Sequence, residues 1–310
     1  VLDVLSALLS STLDYAPALI FAALGGVLSE RSGVVNVGLE GMMRVGAFSA
    51  AVAALVMPTG LALFAGMLAG AALGAIHAYL CIRWRSDQVV SGMALNLVAL
   101  AGMTFLLESL FNEPSSTPAI AELHRWQLPL IDGAPLIGAL SGHSSLTYLA
   151  LTLPFAFHAF LSRTPWGLRI RAVGEKPAAA ATLGISVPRV RAACVLGSGM
   201  LAGLGGAALS TSTLNRFEHH MPAGLGFMAL AALVFGRWTP LGAFGAAAFF
   251  AFGNALRIGL RSSAPHVLDV VPQGFLLALP YVLTLLLLAA QGRATHSPAA
   301  LGTAYEPEVR

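Results

Sequence analysis

Apolar stretches close to 20 residues long recur along almost the whole chain, and this limits the possible folds more than any other feature. A helix rising 1.5 Å per residue needs about 20 apolar residues to cross about 30 Å of hydrocarbon. The candidate spans are Asp14–Leu28, Val37–Met57, Gly60–Cys81, Val89–Phe111, Ser145–Leu161, Val190–Ser212, Pro222–Gly236, Pro240–Leu256 and Val271–Ala290. Val1–Leu13 either extends the first span or lies on the membrane surface. The chain is 57% hydrophobic and 10% charged, far below the roughly 25% charged residues of a soluble domain. An all-α, polytopic integral membrane protein of about eight to nine transmembrane helices is therefore expected. Segments between spans reach only about 35 residues, too few for a separate soluble core, so residues 1–310 read as one domain. The first residues lack a basic stretch and a small-residue cleavage site, so no cleavable leader is expected.

Arginine and lysine placement sets the orientation. With Arg163–Arg191 inside, 12 basic residues fall inside and 4 outside (Arg125, Arg216, Arg257 and Arg261), with Arg44 in the membrane. The amino end is then outside and the carboxyl end inside. Trp84, Trp166 and Trp238 fall on the same inner rim, where amphipathic indoles sit well. The net charge of +3 carries no implication of nucleic-acid binding in so apolar a chain. Cys81 and Cys194 fall at or inside spans and read as small buried hydrophobes rather than a disulfide.

Gly66, Gly70 and Gly74, and again Gly199 and Gly203, repeat at four-residue spacing, which lets helix backbones approach closely in lipid. Packing within one subunit is the favoured reading. Residues 112–146 are rich in Pro, Ser, Thr and Gly and read as an irregular external loop.

The segment Ser32-Gly33-Val34-Val35-Asn36-Val37-Gly38-Leu39-Glu40-Gly41 should break a helix near residues 32–41. Its glycines weaken a continuous helix, Asn36 suits a cap, and Glu40 suits the positive end of the helix that follows. Broken helices at membrane depth are tolerated where they are packed in protein or line a wet cavity, and they often form substrate sites. Glu40 and Arg44 stand at i and i+4, so one charge can offset the other. They either brace the break or line a pathway. Asn96 and Asn254 are further intramembrane amides able to bond a polar solute or another helix. Glu108 sits near the outer end of its span. His77 and His158 have no partner at metal-ligand spacing, and His219-His220 beside Glu218 reads as a solvated loop pair. Neither paired carboxylates on one helical face nor a nucleophile–base arrangement can be identified, so catalysis has no support.

The only lysine, Lys176, follows Glu175 and precedes Pro177, so a G-x-x-x-x-G-K-[ST] phosphate loop is absent and ATP hydrolysis is not expected here. Around it, residues 163–191 form a charged island that reads as a helix–turn–helix: arginines alternate with apolar residues, Gly174 is a stop, and Pro177 opens an alanine-rich turn ending at Gly184. A short amphipathic segment of this kind suits docking into a groove on another protein.

Three motifs together, in order over about residues 19–260, give the chain a family likeness: Ser32-Gly33-Val34-Val35-Asn36-Val37-Gly38-Leu39-Glu40-Gly41-Met42-Met43, Arg171-Ala172-Val173-Gly174-Glu175-Lys176-Pro177 with Gly184-Ile185, and Ala229–Ala243. It resembles the permease subunits of bacterial ABC importers for simple sugars, nucleosides and branched-chain amino acids. The third motif is similar to the nucleoside-uptake branch. Three positions depart: Lys176 replaces a usual asparagine, Arg44 a common apolar residue, and Leu225 a frequent basic one. The resemblance implies a multi-pass protein of the bacterial inner membrane, with a second permease subunit, homologous or identical, forming the pathway. It also implies a cytoplasmic ATPase that carries the ATP and magnesium, with no cofactor on this chain, and an extracytoplasmic substrate-binding protein. Asn36, Glu40, Arg44, Asn96 and Asn254 become the candidate pathway residues. Arg169, Arg171, Val173, Gly174, Glu175, Lys176, Pro177 and Gly184 become the candidate ATPase-coupling residues. The alternatives are a simple-sugar permease or, in another class, an ion-coupled transporter or channel using Glu40, Arg44 and Glu108.

Overall fold

The first helix, α1 (Leu2–Arg31), shows how the local sequence sets the boundaries. Gly33 adopts φ 94°, its N–H bonds to the Glu30 carbonyl at 2.9 Å and the Val34 N–H to the Ser29 carbonyl at 3.3 Å. These are the two bonds of a Schellman stop, which a left-handed glycine permits at little steric cost. The computed structural model describes residues 2–127, 129, 137–263 and 297–306. The last candidate span, Val271–Ala290, lies outside them.

Beyond the break at Ser32–Gly38 come α2 (Leu39–Ala54), α3 (Thr59–Ala78, with a wide π-type last turn Tyr79–Arg83) and α4 (Gln88–Phe111). Asp87 caps α4 by accepting from Val89 and Val90 N–H, both at 2.9 Å. Next are α5 (Ser145–Arg163), α6 (Pro165–Glu175), α7 (Pro177–Thr182), α8 (Val187–Ala208, with a π-type turn Leu209–Thr213), α9 (Leu225–Phe235) and α10 (Pro240–Ser263). Val1–Leu13 is thus largely a continuation of the first span.

Among the described residues five helices are long and apolar enough to cross a membrane: Leu5–Arg31, Thr59–Arg83, Gln88–Phe111, Ser145–Arg163 and Val187–Thr213. Two expected spans come out short. At 1.5 Å per residue, the 16 residues of α2 and the 11 of α9 give about 24 Å and about 16 Å, less than the hydrocarbon thickness. Both start inside the bundle, where protein groups can satisfy their free N–H donors.

α1, α2 and α8 form the buried centre with α3 packed on it by one face, and glycine makes their approach possible. A Cβ on Gly70 would stand 2.2 Å from the Gly199 carbonyl oxygen, one on Gly46 2.3 Å from that of Gly203, and one on Gly206 1.8 Å from that of Met43. The small-residue steps thus pack helices within the subunit, as the spacing indicated. Both cysteines are buried and free.

The loop expected to be irregular has order. Its Ser115–Leu123 stretch runs as a strap along residues 211–219, with Thr117 N–H on the Phe217 carbonyl (3.0 Å) and Ile120 N–H on that of Asn215 (2.9 Å). Beyond it, β1 (Arg125–Trp126) pairs antiparallel with β2 (His143–Ser144). His143 then meets Asp14 of α1 at 2.9 Å. Burial alone would lower the His143 pKa, but the hydrogen bond and charge of Asp14 override it and the net shift is upward.

Trp84 and Trp166 are exposed, as amphipathic rim residues would be, but Trp238 is buried. Its indole N–H bonds to Glu30 Oε2 at 2.5 Å, and its carbonyl accepts from Arg31 Nε at 2.7 Å. Trp238 therefore pins the α9–α10 turn to the end of α1 rather than meeting lipid.

Candidate functional site

Glu40 sits in the first turn of α2 and is buried. Its carboxylate accepts from the Gly224 N–H at 2.8 Å and the Gly226 N–H at 2.7 Å, the amides that open α9. The positive ends of two helices thus converge on one carboxylate. Gly226 permits this: a Cβ there would lie 2.5 Å from the Glu40 backbone N. The expected Glu40–Arg44 pair is not what holds either group. Arg44 Nη1 instead donates to the His219 carbonyl at 2.5 Å. Backbone groups from the 214–226 segment have taken both side chains, which i, i+4 spacing alone could not reveal.

Asn36 was expected to cap α2. Gly38 occupies the cap position, with no side-chain cap bond. Asn36 is fully buried and donates from Nδ2 to Ser198 Oγ at 2.9 Å, tying the break to α8, while its Oδ1 has no partner. Asn96 does the capping work from across the interface: its Oδ1 accepts from Gly41 N–H at 2.7 Å and its Nδ2 donates to the Val37 carbonyl at 3.0 Å. Gln88 Oε1 accepts from Val35 N–H at 2.7 Å, and His77 stands 3.0 Å from the Val35 carbonyl. Three of the five pathway candidates, Asn36, Glu40 and Asn96, therefore bond backbone or side chains at the break or the start of α9, while Arg44 holds the loop before α9 through His219.

Asn254 stands elsewhere. It lines a cavity of about 380 Å³ between α1, α10 and the 209–225 segment, with Tyr15, Thr213, Glu218, His220 and Arg257 supplying other polar groups and Met221 and Met228 apolar surface. Its Oδ1 accepts from Arg257 Nη2 at 2.8 Å. Glu40 lies behind this wall: it grips the amides on either side of Leu225, which faces the cavity. Ala223 (φ 57°) and Gly224 (φ 89°) turn the chain there. The sequence reading set Glu218 and His220 aside as a solvated loop, counted Arg257 only as an outer charge and missed Tyr15, because these residues come from segments far apart in the chain. The sequence signals were the Glu218–His220 cluster and the Pro222–Gly226 stretch, rich in turn formers.

At the other end of the bundle the charged island folds as two short helices, α6 and α7. Thr164 caps α6 by accepting from Gly167 N–H at 3.1 Å, with Pro165 at its first position. Arg169, Glu175, Lys176 and Gly184 (φ 79°) are exposed, Arg171 and Pro177 half-buried. Val173 and Gly174 are buried against α1: a Cβ on Gly174 would meet the Arg31 carbonyl oxygen at 2.1 Å. Those two anchor the element. The outward apolar knobs are Leu183, 80% exposed at the turn, and Leu168. The 297–306 tail ties the island down from the side, with Ala300 N–H on the Gly174 carbonyl (2.9 Å) and Ala299 N–H on Glu175 Oε2 (3.2 Å).

A bundle of membrane-length helices with two helices that start inside it, and a braced helical hairpin at one end, has the make-up of a permease. Residues 8–288 match the family described as branched-chain amino acid transport system, permease component, and the chain belongs to that family. It is a membrane-embedded permease subunit of an ABC importer. It is 40% identical to the guanosine ABC transporter permease protein NupQ of Bacillus subtilis (strain 168), over 98% of each chain. It is 37% identical to the nucleoside ABC transporter permease protein NupC of Lactococcus lactis subsp. cremoris (strain MG1363), again over 98% of each. A putative glucose ABC transporter permease protein, TsgC13 of Haloferax volcanii, is 37% identical over 82% of this chain and 78% of its own.

Proposed function

We propose that this chain, as a single permease domain over residues 1–310 with eight to nine membrane spans, forms part of the inner-membrane pathway through which nucleosides or related purine compounds are imported. The observation that carries the substrate class is the near-full-length likeness to two permeases named for guanosine and nucleosides. The cavity beside Asn254 supports it chemically. Tyr15 offers an aromatic face and a hydroxyl, Asn254 and Arg257 offer amide and guanidinium groups, and the methionines give adaptable apolar surface. A simple sugar is the second reading, favoured by the partial likeness to TsgC13.

In this reading residues 163–191 face the cytoplasm, where a separate ATPase holding ATP and magnesium grips α6, α7 and the Leu183 knob. Residues 112–146 face outward, where a binding protein delivers substrate, and a second permease, identical or homologous, completes the pathway. Glu40, Asn36, Asn96 and Arg44 keep the two short helices in register, and Asn254 meets the solute. An ion relay through Glu40, Arg44 and Glu108 has little support, because the first two already serve backbone partners and Glu108 is exposed. A thermal-shift screen of the cognate binding protein tests the substrate. Stabilisation by guanosine and adenosine but not glucose or ribose is expected, and stabilisation by sugars alone would replace the nucleoside reading with the sugar one.

A further inference from the structure

The cavity of about 380 Å³ beside α10 carries a cation without an anionic partner. Asn254 and Arg257 stand three residues apart on α10, both border the cavity and both are half-buried. Arg257 gives two bonds to one atom, from Nε to Asn254 Oδ1 at 3.2 Å and from Nη2 to the same oxygen at 2.8 Å. Together they use both lone pairs of that oxygen. A guanidinium only donates, so the contact also fixes which end of the amide is oxygen. Asn254 is left with its NH2, and Arg257 with Nη1 and the second hydrogen of Nη2, none of them bonded among the described residues. Nor does any carboxylate pair with Arg257 among those residues. The Glu218 carboxylate on the cavity wall already has Arg216, 2.8 Å from its Oε1. The Arg257 charge acts on the hydroxyl of Tyr15, a wall residue from α1, which sets the guanidinium on the cavity side of its helix.

An unpaired arginine at membrane depth is costly and commonly marks a solute path. Its clamp on Asn254 decides which solute suits it. A free asparagine can read adenine, its oxygen taking the N6 amino group while its NH2 donates to N7. Here that oxygen is fully occupied, so this pair on α10 offers donors only. Guanidinium donors match O6 and N7 of a 6-oxopurine, both of them acceptors. Adenine would set its N6 amino group against another donor and leave both unbonded. An acceptor for the N1–H and 2-amino groups of guanine is present on the 209–225 segment in Glu218 Oε2, which Arg216 leaves free. Resting on the nucleoside reading above, we propose that the Asn254–Arg257 clamp makes the pathway selective for 6-oxopurine nucleosides, guanosine and inosine, over adenosine. Arg257 is the specificity-determining contact, and Asn254 positions it while withholding its own acceptor. This selection acts in the pathway itself, in addition to any made by the binding protein.

Proteoliposomes holding the complete importer would be supplied with labelled guanosine, inosine or adenosine, using one binding protein throughout so that its own preference cancels between samples. The quantity read is the guanosine-to-adenosine uptake ratio within each sample, which reduced assembly does not move. Arg257→Gln supplies an acceptor beside a donor and frees the Asn254 oxygen, so it should lower that ratio at least about fivefold from the wild-type value. Asn254→Asp keeps the clamp and the size but exchanges the amide donor for an acceptor, and should lower the ratio too. Inosine, which shares O6 and N7 but lacks the 2-amino group, should follow guanosine in both variants. Should Arg257→Gln fail to assemble, Asn254→Asp decides alone. A ratio unchanged from wild type, with nucleosides still carried, would overturn the proposal and leave the nucleoside reading standing. Uptake of glucose or ribose but of no nucleoside by the wild type would overturn both.

Discussion

Glu40 shows how much a single side chain can carry here. An unsupported carboxylate at membrane depth is costly, yet this one accepts amide bonds from the start of α9 while sitting in the first turn of α2. Replacing it with glutamine keeps the size but sets an NH2 group against one of those amides. One N–H is then left unsatisfied, at a cost of about 1–3 kcal/mol. Glu40→Gln should therefore lower the thermal midpoint in detergent and reduce uptake, with Glu40→Ala worse; uptake and midpoint both at wild-type level would show the contact to be dispensable. His143 gives a pH prediction of definite sign. Its pKa is raised, chiefly by Asp14 and against burial, with Arg125 opposing. Stability from the pair is fully present below the ordinary imidazole pKa of 6.5 and is lost as pH rises through the raised value. The midpoint difference between wild type and His143→Gln should be larger at pH 6 than at pH 9, and a gap that widens with pH would reverse the assignment. The residue scale is also where sequence reading fell short. Glu40 and Asn36 were visible as unusual, but their partners, Gly224 and Ser198, lie 184 and 162 residues away. No local spacing encodes those contacts.

Elements were far more legible. Long spans announce themselves because hydrophobic length is a direct physical requirement, and α1, α3, α4, α5 and α8 fall where the apolar runs put them. The Ser32–Gly38 break was readable from its glycines, and the hairpin of α6 and α7 from its alternating arginines and apolar residues and from Pro177, although α6 runs through Gly174 to Glu175. Span length itself misled for α2 and α9, since the apolar flanks counted as helix, residues 55–57 and 222–224, are really turns. The glycine seams give the sharpest test at this scale. Gly206→Leu drives a side chain into the Met43 carbonyl, backbone that cannot rotate away, so it should cost more than the about 1–3 kcal/mol of ordinary overpacking. Loss of the monodisperse peak in fluorescence-detected size exclusion is expected, while Gly102→Ala, with open space around it, should leave the peak intact. At the hairpin, Leu183→Asp should preserve folding, because the side chain is exposed, while abolishing co-purification of the ATPase. Retention of the ATPase at wild-type stoichiometry would move the docking site away from α7.

As a whole, the molecule joins two regions through shared backbone. The 214–226 segment lines the cavity on one side and grips Glu40 on the other, while the break that begins at Gly33 touches both the tail and α8. Gly174 lies against the end of α1, and the break follows directly, so in the proposed reading a push on the hairpin would reach the break. The central claim is that this chain conducts solute only when a nucleotide-hydrolysing partner drives it. It is tested most directly by measuring labelled guanosine uptake in proteoliposomes of stepwise composition, with ATP on the hairpin side. Accumulation only when the second permease, the ATPase, the binding protein and ATP are all present is the predicted result. Uphill accumulation by this chain alone under an ion gradient would contradict it.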